Sequence, residues 1–141
     1  MAKKGATKGK AQSEPPKLQL LLLCDAISRD PNSNKATAYG IFDRVRGDSF
    51  PVRVGFAMHA KFFGGRGKNK ISIEIADSKG KSLFKDKLPT FELDCQPNVT
   101  IDIDARIEGV PFPASDVYSI TAIADGRSLG DGYRIVVDEK K

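Results

Sequence analysis

Apolar and polar residues alternate along most of this chain. The clearest case is residues 52–63, where Val52, Val54, Phe56, Met58, Ala60 and Phe62 fall on one side and Arg53, His59 and Lys61 on the other. Strict alternation predicts a strand with one buried face; a helix would scatter those six residues around its axis. Ile71, Ile73 and Ile75 repeat the pattern, as do Val99, Ile101, Ile103, Ala105 and Ile107, then Tyr118, Ile120, Ala122 and Ala124, then Tyr133, Ile135 and Val137. Residues 18–27 are apolar on both faces, which predicts a central strand buried on both sides. Residues 36–45 read as one strand, and residues 83–95 as a strand disturbed by Pro89, which favours an edge or a bulge.

Turn formers separate these segments. Ser28 to Lys35 is dense in them, Asp77 to Gly80 predicts a hairpin, and Asp125-Gly126 is the strongest hairpin signal in the chain. Gly64 to Lys68 reads as a mobile hairpin tip, Gln96 to Asn98 as a turn, and Val110 to Pro113 as an irregular crossing. No stretch shows helical periodicity, and no internal repeat is present. The expected fold is all-β: an antiparallel sandwich of about eight strands, immunoglobulin-like or jelly-roll-like, over residues 17–138.

Composition changes this picture at the N-terminus. Residues 1–16 have no large apolar residue, cannot offset their ordering entropy by burial, and are expected to be a disordered basic tail. The chain of 141 residues has a net charge of +5. Residues 1–17 hold five lysines against Glu14, or +4, while residues 18–141 carry 18 basic and 17 acidic side chains, or +1. The basic character is a property of the tail, so Lys3, Lys4, Lys8 and Lys10 are the candidate contacts to nucleic acid or another polyanion. No apolar run approaches the roughly 20 residues of a membrane helix. The Leu20–Leu23 run before Cys24 is shorter than an export core, and Leu23 stands where cleavage needs a small residue. Two distant cysteines, Cys24 and Cys95, read as buried free thiols, and the expected location is the cytoplasm.

Familiar site motifs fail on residue identity. The Gly64–Lys68 loop lacks the upstream glycine of a phosphate-binding loop and has Asn69 where Ser or Thr is required. The Asp30 loop has Lys35 and Ile41 where a calcium loop needs glycine and glutamate. No nucleophile motif accompanies His59, which falls on the polar face of its strand and reads as a surface residue. No catalytic group, metal ligand or cofactor is therefore assigned. Two carboxylate sets remain as candidates. Asp25 and Asp43 each end a hydrophobic segment and could meet at one end of the fold. Were residues 91–95 to pair with 99–103, Glu92, Asp94, Asp102 and Asp104 would share an acidic face, offset by solvent, a cation or a basic strand such as Arg53-His59-Lys61.

The order of short motifs resembles a family of small uncharacterised bacterial domains of unknown function, over roughly residues 17–137. The resemblance rests on Cys24-Asp25, Tyr39-Gly40-Ile41-Phe42-Asp43, Phe50-Pro51, Asp77 to Gly80, Pro111-Phe112-Pro113 leading to Tyr118, and Asp125-Gly126. Asp116-Val117-Tyr118 lacks the usual glycine before that tyrosine. The resemblance implies a bacterial β-sandwich and no activity. The expected role is non-enzymatic: a protein-interaction or assembly module with a protein partner or a second copy of itself. Polyanion tethering through the tail is the first alternative, and a carboxylate-based hydrolase or cation-binding domain the second.

Overall fold

The computed structural model describes residues 13–140. Within them the chain is all-β, with twelve strands and a single 3-10 turn at Lys85–Lys87. The strands are β1 (Lys17–Cys24), β2 (Ala26–Arg29), β3 (Ala36–Tyr39), β4 (Arg44–Gly47), β5 (Val52–Phe63) and β6 (Gly67–Ala76). They continue as β7 (Ser82–Leu83), β8 (Thr90–Cys95), β9 (Thr100–Phe112), β10 (Asp116–Ala124), β11 (Arg127–Ser128) and β12 (Tyr133–Glu139). Three sheets result: β9-β5-β1; a larger one ordered β4-β12-β10-β6-β7, with β11 on β10 and β8 on β6; and the β2–β3 hairpin. One hydrophobic cluster draws on both main sheets, including Phe56, Met58 and Phe62 of β5, Ile71 to Ile75 of β6, and Tyr118 and Ile120 of β10. The predicted alternation of β5, β6, β9, β10 and β12 therefore holds, as do the hairpins at Asp77–Gly80 and Asp125-Gly126.

Several expectations fail for identifiable reasons. Residues 18–27 are not a central strand. β1 lies at the edge of its sheet and stops at Cys24. Its second apolar face, with Leu20 and Leu22, faces the β2–β3 hairpin across a cleft and stays partly exposed, so apolar character on both faces reports a flap rather than pairing on both edges. Residues 36–45 split at Gly40, whose φ of +67° suits glycine and where a Cβ would stand 2.2 Å from the Asp25 carboxylate. Past that corner β4 joins the larger sheet, parallel to β12.

The Gly64–Lys68 segment is likewise no hairpin tip. It carries the chain from one main sheet to the other, and Glu14 and Arg66 exchange two backbone bonds of 2.8 and 2.9 Å across it. A Cβ on Gly65 would come within 2.9 Å of the Glu14 carbonyl, so only glycine lets the strands approach so closely. Ser13 to Pro16, assigned to the tail by sequence, thus lie against this crossing. Lys3, Lys4, Lys8 and Lys10 fall outside the described residues. Val110 to Phe112, expected as an irregular crossing, continue β9 past a bulge between Ile107 and Val110.

Candidate functional site

The chemistry of the molecule gathers on the outer face of the β9-β5-β1 sheet. Alternation along β5 sends Ala57, His59 and Lys61 outward, opposite Leu22 of β1 at His59 and opposite Asp104 and Asp102 of β9 at His59 and Lys61. The β2–β3 hairpin lies over this face. Its own period of two puts Arg29 on the same side as Ile27, and an Asx turn closes its tip, where Asp30 accepts bonds from the Asn32 amide and the Ser33 hydroxyl at 3.0 Å each.

Under the hairpin runs one connected network. His59 Nδ1 lies 2.6 Å from Asp104 Oδ1, and since an ionised carboxylate only accepts, Nδ1 carries the proton. Arg29 Nε donates to the other oxygen of Asp104 at 2.9 Å, and Arg29 Nη1 reaches Asp102 Oδ2 at 3.4 Å and the Asn34 carbonyl at 2.9 Å. Lys61 Nζ stands 3.5 Å from the same Asp102 oxygen. Partial burial pushes the Asp104 carboxyl up, but the bonds from Arg29 and His59 outweigh it and hold it below the ordinary carboxylate range. His59 is 5% exposed, a buried polar residue rather than the surface one expected. Both oxygens of Asp104 are engaged, so the pair fastens the hairpin to the sheet, while the imidazole also lines a cleft of about 490 Å³ floored by Leu20, Leu22, Ile27, Ala36 and Ala38.

A second groove, of about 810 Å³, follows the outer edge of β9. Arg29, Asp102 and Asp104 stand on its polar side and Phe91, Ile101 and Ile103 on its apolar side. β9 ends its sheet, so this edge has no neighbouring strand among the described residues. The phase of the ladder is set by the Gly64 amide, which donates to the Val99 carbonyl at 3.0 Å. Antiparallel pairs alternate, so the odd-numbered residues of β9 bond to β5. Thr100, Asp102 and Asp104 therefore aim their backbone N–H and C=O groups into the groove, and Arg106 continues the same unpaired edge just beyond it.

The structure divides the carboxylates named from sequence. β8 and β9 do not pair; they belong to different sheets. Glu92 and Asp94 sit across from Lys70 and Lys68 of β6, while Asp102 and Asp104 meet Lys61 and His59 of β5. The single acidic face becomes two separate ladders, each with basic residues across from the carboxylates. In the one holding Asp102 and Asp104, the basic strand invoked to offset it supplies His59 and Lys61 as ion-pair partners. Asp25 and Asp43 are both exposed, and no hydrogen bond joins their carboxylates; Asp25 lies against Gly40, and the Asp43 carbonyl accepts the Val136 amide. Among the described residues no group of three or more His, Cys, Asp or Glu could hold a metal ion, and no helix is long and apolar enough to cross a membrane. Cys24 and Cys95 are free and buried, in separate sheets, and desolvation raises both thiols. Sequence reasoning missed Arg29. The only available signal was its place two residues after Ile27.

A family model described as a family of unknown function matches residues 19–137. No curated protein matches the chain. Among solved structures, the chain is similar to a β-glucuronidase of Bifidobacterium dentium complexed with coumarin-3-O-glucuronide, with 13% identity, a TM-score of 0.38, and coverage of 86% of this chain and 18% of that one. It is similar too to the Pseudomonas fluorescens alkylpurine DNA glycosylase AlkC bound to DNA containing an abasic site analog, with 13% identity, a TM-score of 0.34, and coverage of 84% and 30%. The chain spans less than a third of either, and at these scores neither likeness bears on its fold or function.

Proposed function

The chain belongs to this family of unknown function (DUF6941), and from that premise, which carries no activity with it, we propose that it is a protein-interaction module that docks an extended partner strand on the free edge of β9. One observation carries the reading: the unpaired backbone groups of Thr100 to Asp104 face a groove whose opposite walls are apolar and charged. Added strands gain affinity from main-chain hydrogen bonds and specificity from alternate side chains. A docked strand with alternating character would set apolar side chains on Phe91, Ile101 and Ile103 and polar ones beside Arg29 and Asp102. The bulge and Pro111 guard the far end of the edge, which leaves residues 100–107 as the docking length.

Two substitutions at one position separate backbone docking from charge. Asp102→Pro removes an N–H that points into the groove without touching the β5 ladder, whereas Asp102→Asn keeps it. A specific protein partner, recovered with the full chain and crosslinked to residues 100–107, should be retained by Asp102→Asn and lost by Asp102→Pro. Equal retention by both variants removes the reading.

A second reading, polyanion binding, is favoured by the Glu14–Arg66 bridge, which roots the N-terminal segment beside Arg66, Lys68 and Lys70. Removing residues 1–12 takes away Lys3, Lys4, Lys8 and Lys10 and should flatten the salt dependence of binding to single- or double-stranded nucleic acid. Identical salt slopes for the full and shortened chains exclude the tail as the contact.

A further inference from the structure

The β9 edge carries a charge pattern that fits itself. Resting on the strand-addition reading above, we propose that the partner strand is β9 of a second copy of this chain, paired antiparallel about a two-fold axis at Asp104. The even-numbered residues of each copy would then exchange backbone bonds, as the ladder phase requires. Asp102 stands opposite Arg106 of the second copy, twice over by symmetry. Each adds this contact to ties it already makes in its own chain, Asp102 to Arg29 and Lys61 and Arg106 to Glu108 and the Asp25 carbonyl. At the axis the two Asp104 carboxylates face each other, but each is already engaged by Arg29 and His59 of its own chain. On the other face Ile101 meets Ile107, and Ile103 meets Ala105, so the half-exposed Ile101, Ile103 and Ala105 gain apolar neighbours.

Neighbouring registers are worse. An axis at Ile103 sets Asp102 against Asp104 twice, and like charges directly opposite are destabilising. One at Ala105 sets Asp104 against Arg106 twice but also Asp102 against Glu108 twice, and pairs only Ile103 to Ile107 ahead of the bulge. The axis at Asp104 also pairs the run from Ile101 to Ile107 with its twin and stops where the bulge begins. The result is a continuous β1-β5-β9-β9-β5-β1 sheet across the dimer, in which this free edge is closed rather than merely guarded.

The test is sedimentation of the full chain over a micromolar-to-millimolar series, with amide exchange read on β9. The wild-type chain is expected to dimerise with protection of the Thr100, Asp102, Asp104 and Arg106 amides. Arg106→Glu should weaken the dimer at least tenfold and Arg106→Gln less. The charge exchange Asp102→Arg with Arg106→Glu should restore it. Arg106 is 53% exposed in its side chain and holds only an exposed pair with Glu108 and the Asp25 carbonyl, so a urea midpoint for Arg106→Gln checks that the fold is retained. A wild-type monomer throughout the series, or a dimer indifferent to Arg106→Glu, overturns the self-pairing. In that event a foreign partner still lost by Asp102→Pro keeps strand addition standing. A dimer with unprotected β9 amides, joined to a partner indifferent to Asp102→Pro, removes both.

Discussion

Truncating Phe112 to alanine is expected to cost about 3–5 kcal/mol, a large part of the stability of a domain this size. Phe112 closes β9 and is fully buried. Its ring centroid lies 4.8 Å from that of Tyr118 on β10 and 5.5 Å from that of Phe84, edge-on to the latter. Those rings tie the end of β9 to the larger sheet and to the segment before the 3-10 turn, and Tyr118 is itself held by a 2.7 Å bond from its hydroxyl to the Ala114 carbonyl. Alanine leaves a cavity bordered by two strands in separate sheets, which cannot collapse without moving one sheet against the other. Phe112→Leu keeps most of the volume and should cost less than about 1.5 kcal/mol. Urea denaturation of the two variants measures the difference. Equal midpoints would mean that the rings do not couple the sheets. The loss also bears on the docking edge, because Phe112 anchors β9 beyond the bulge.

What the sequence shows of this molecule follows from what alternation encodes. Period two is a property of one strand and its two faces, so the buried faces of β5, β6, β9, β10 and β12 were legible residue by residue. Alternation does not encode which strands pair. Residues 91–95 and 99–103, joined by a short turn, have the pattern of a hairpin, yet each pairs with a different strand of a different sheet. The candidate site suffered most from this. Asp102 and Asp104 were recognisable as carboxylates needing compensation, and His59 and Lys61 as a basic strand able to supply it. Arg29 comes from residues far along the chain and has no local mark of its partner. The flap that buries His59 is likewise invisible in the polar face on which alternation places it. Charge opposite charge in the folded ladder, rather than spacing in the sequence, is what makes the site.

Asp104→Ala tests that network directly and should cost about 2–3 kcal/mol at neutral pH. It leaves Nδ1 of the buried His59 without an acceptor and frees the Nε end of Arg29, which then holds only Asp102 and the Asn34 carbonyl. Unmade bonds to buried groups carry the larger part of the loss, so Asp102→Ala, which removes only exposed or half-exposed pairs with Arg29 and Lys61, should cost under about 1 kcal/mol. Amide exchange should accelerate across β2 and β3 in the Asp104 variant before it does so in β5, because Arg29 is the hairpin's charged tie to the sheet. The pH dependence has a fixed sign. The carboxyl of Asp104 titrates below its ordinary value near 3.8, so the stability it contributes is fully present above that value and is lost as pH falls through the lower, folded one. Wild-type chain and Asp104→Ala should therefore differ most at neutral pH and converge in acid, as read from urea midpoints. A gap that widens on acidification would show that the carboxylate does not fasten the hairpin.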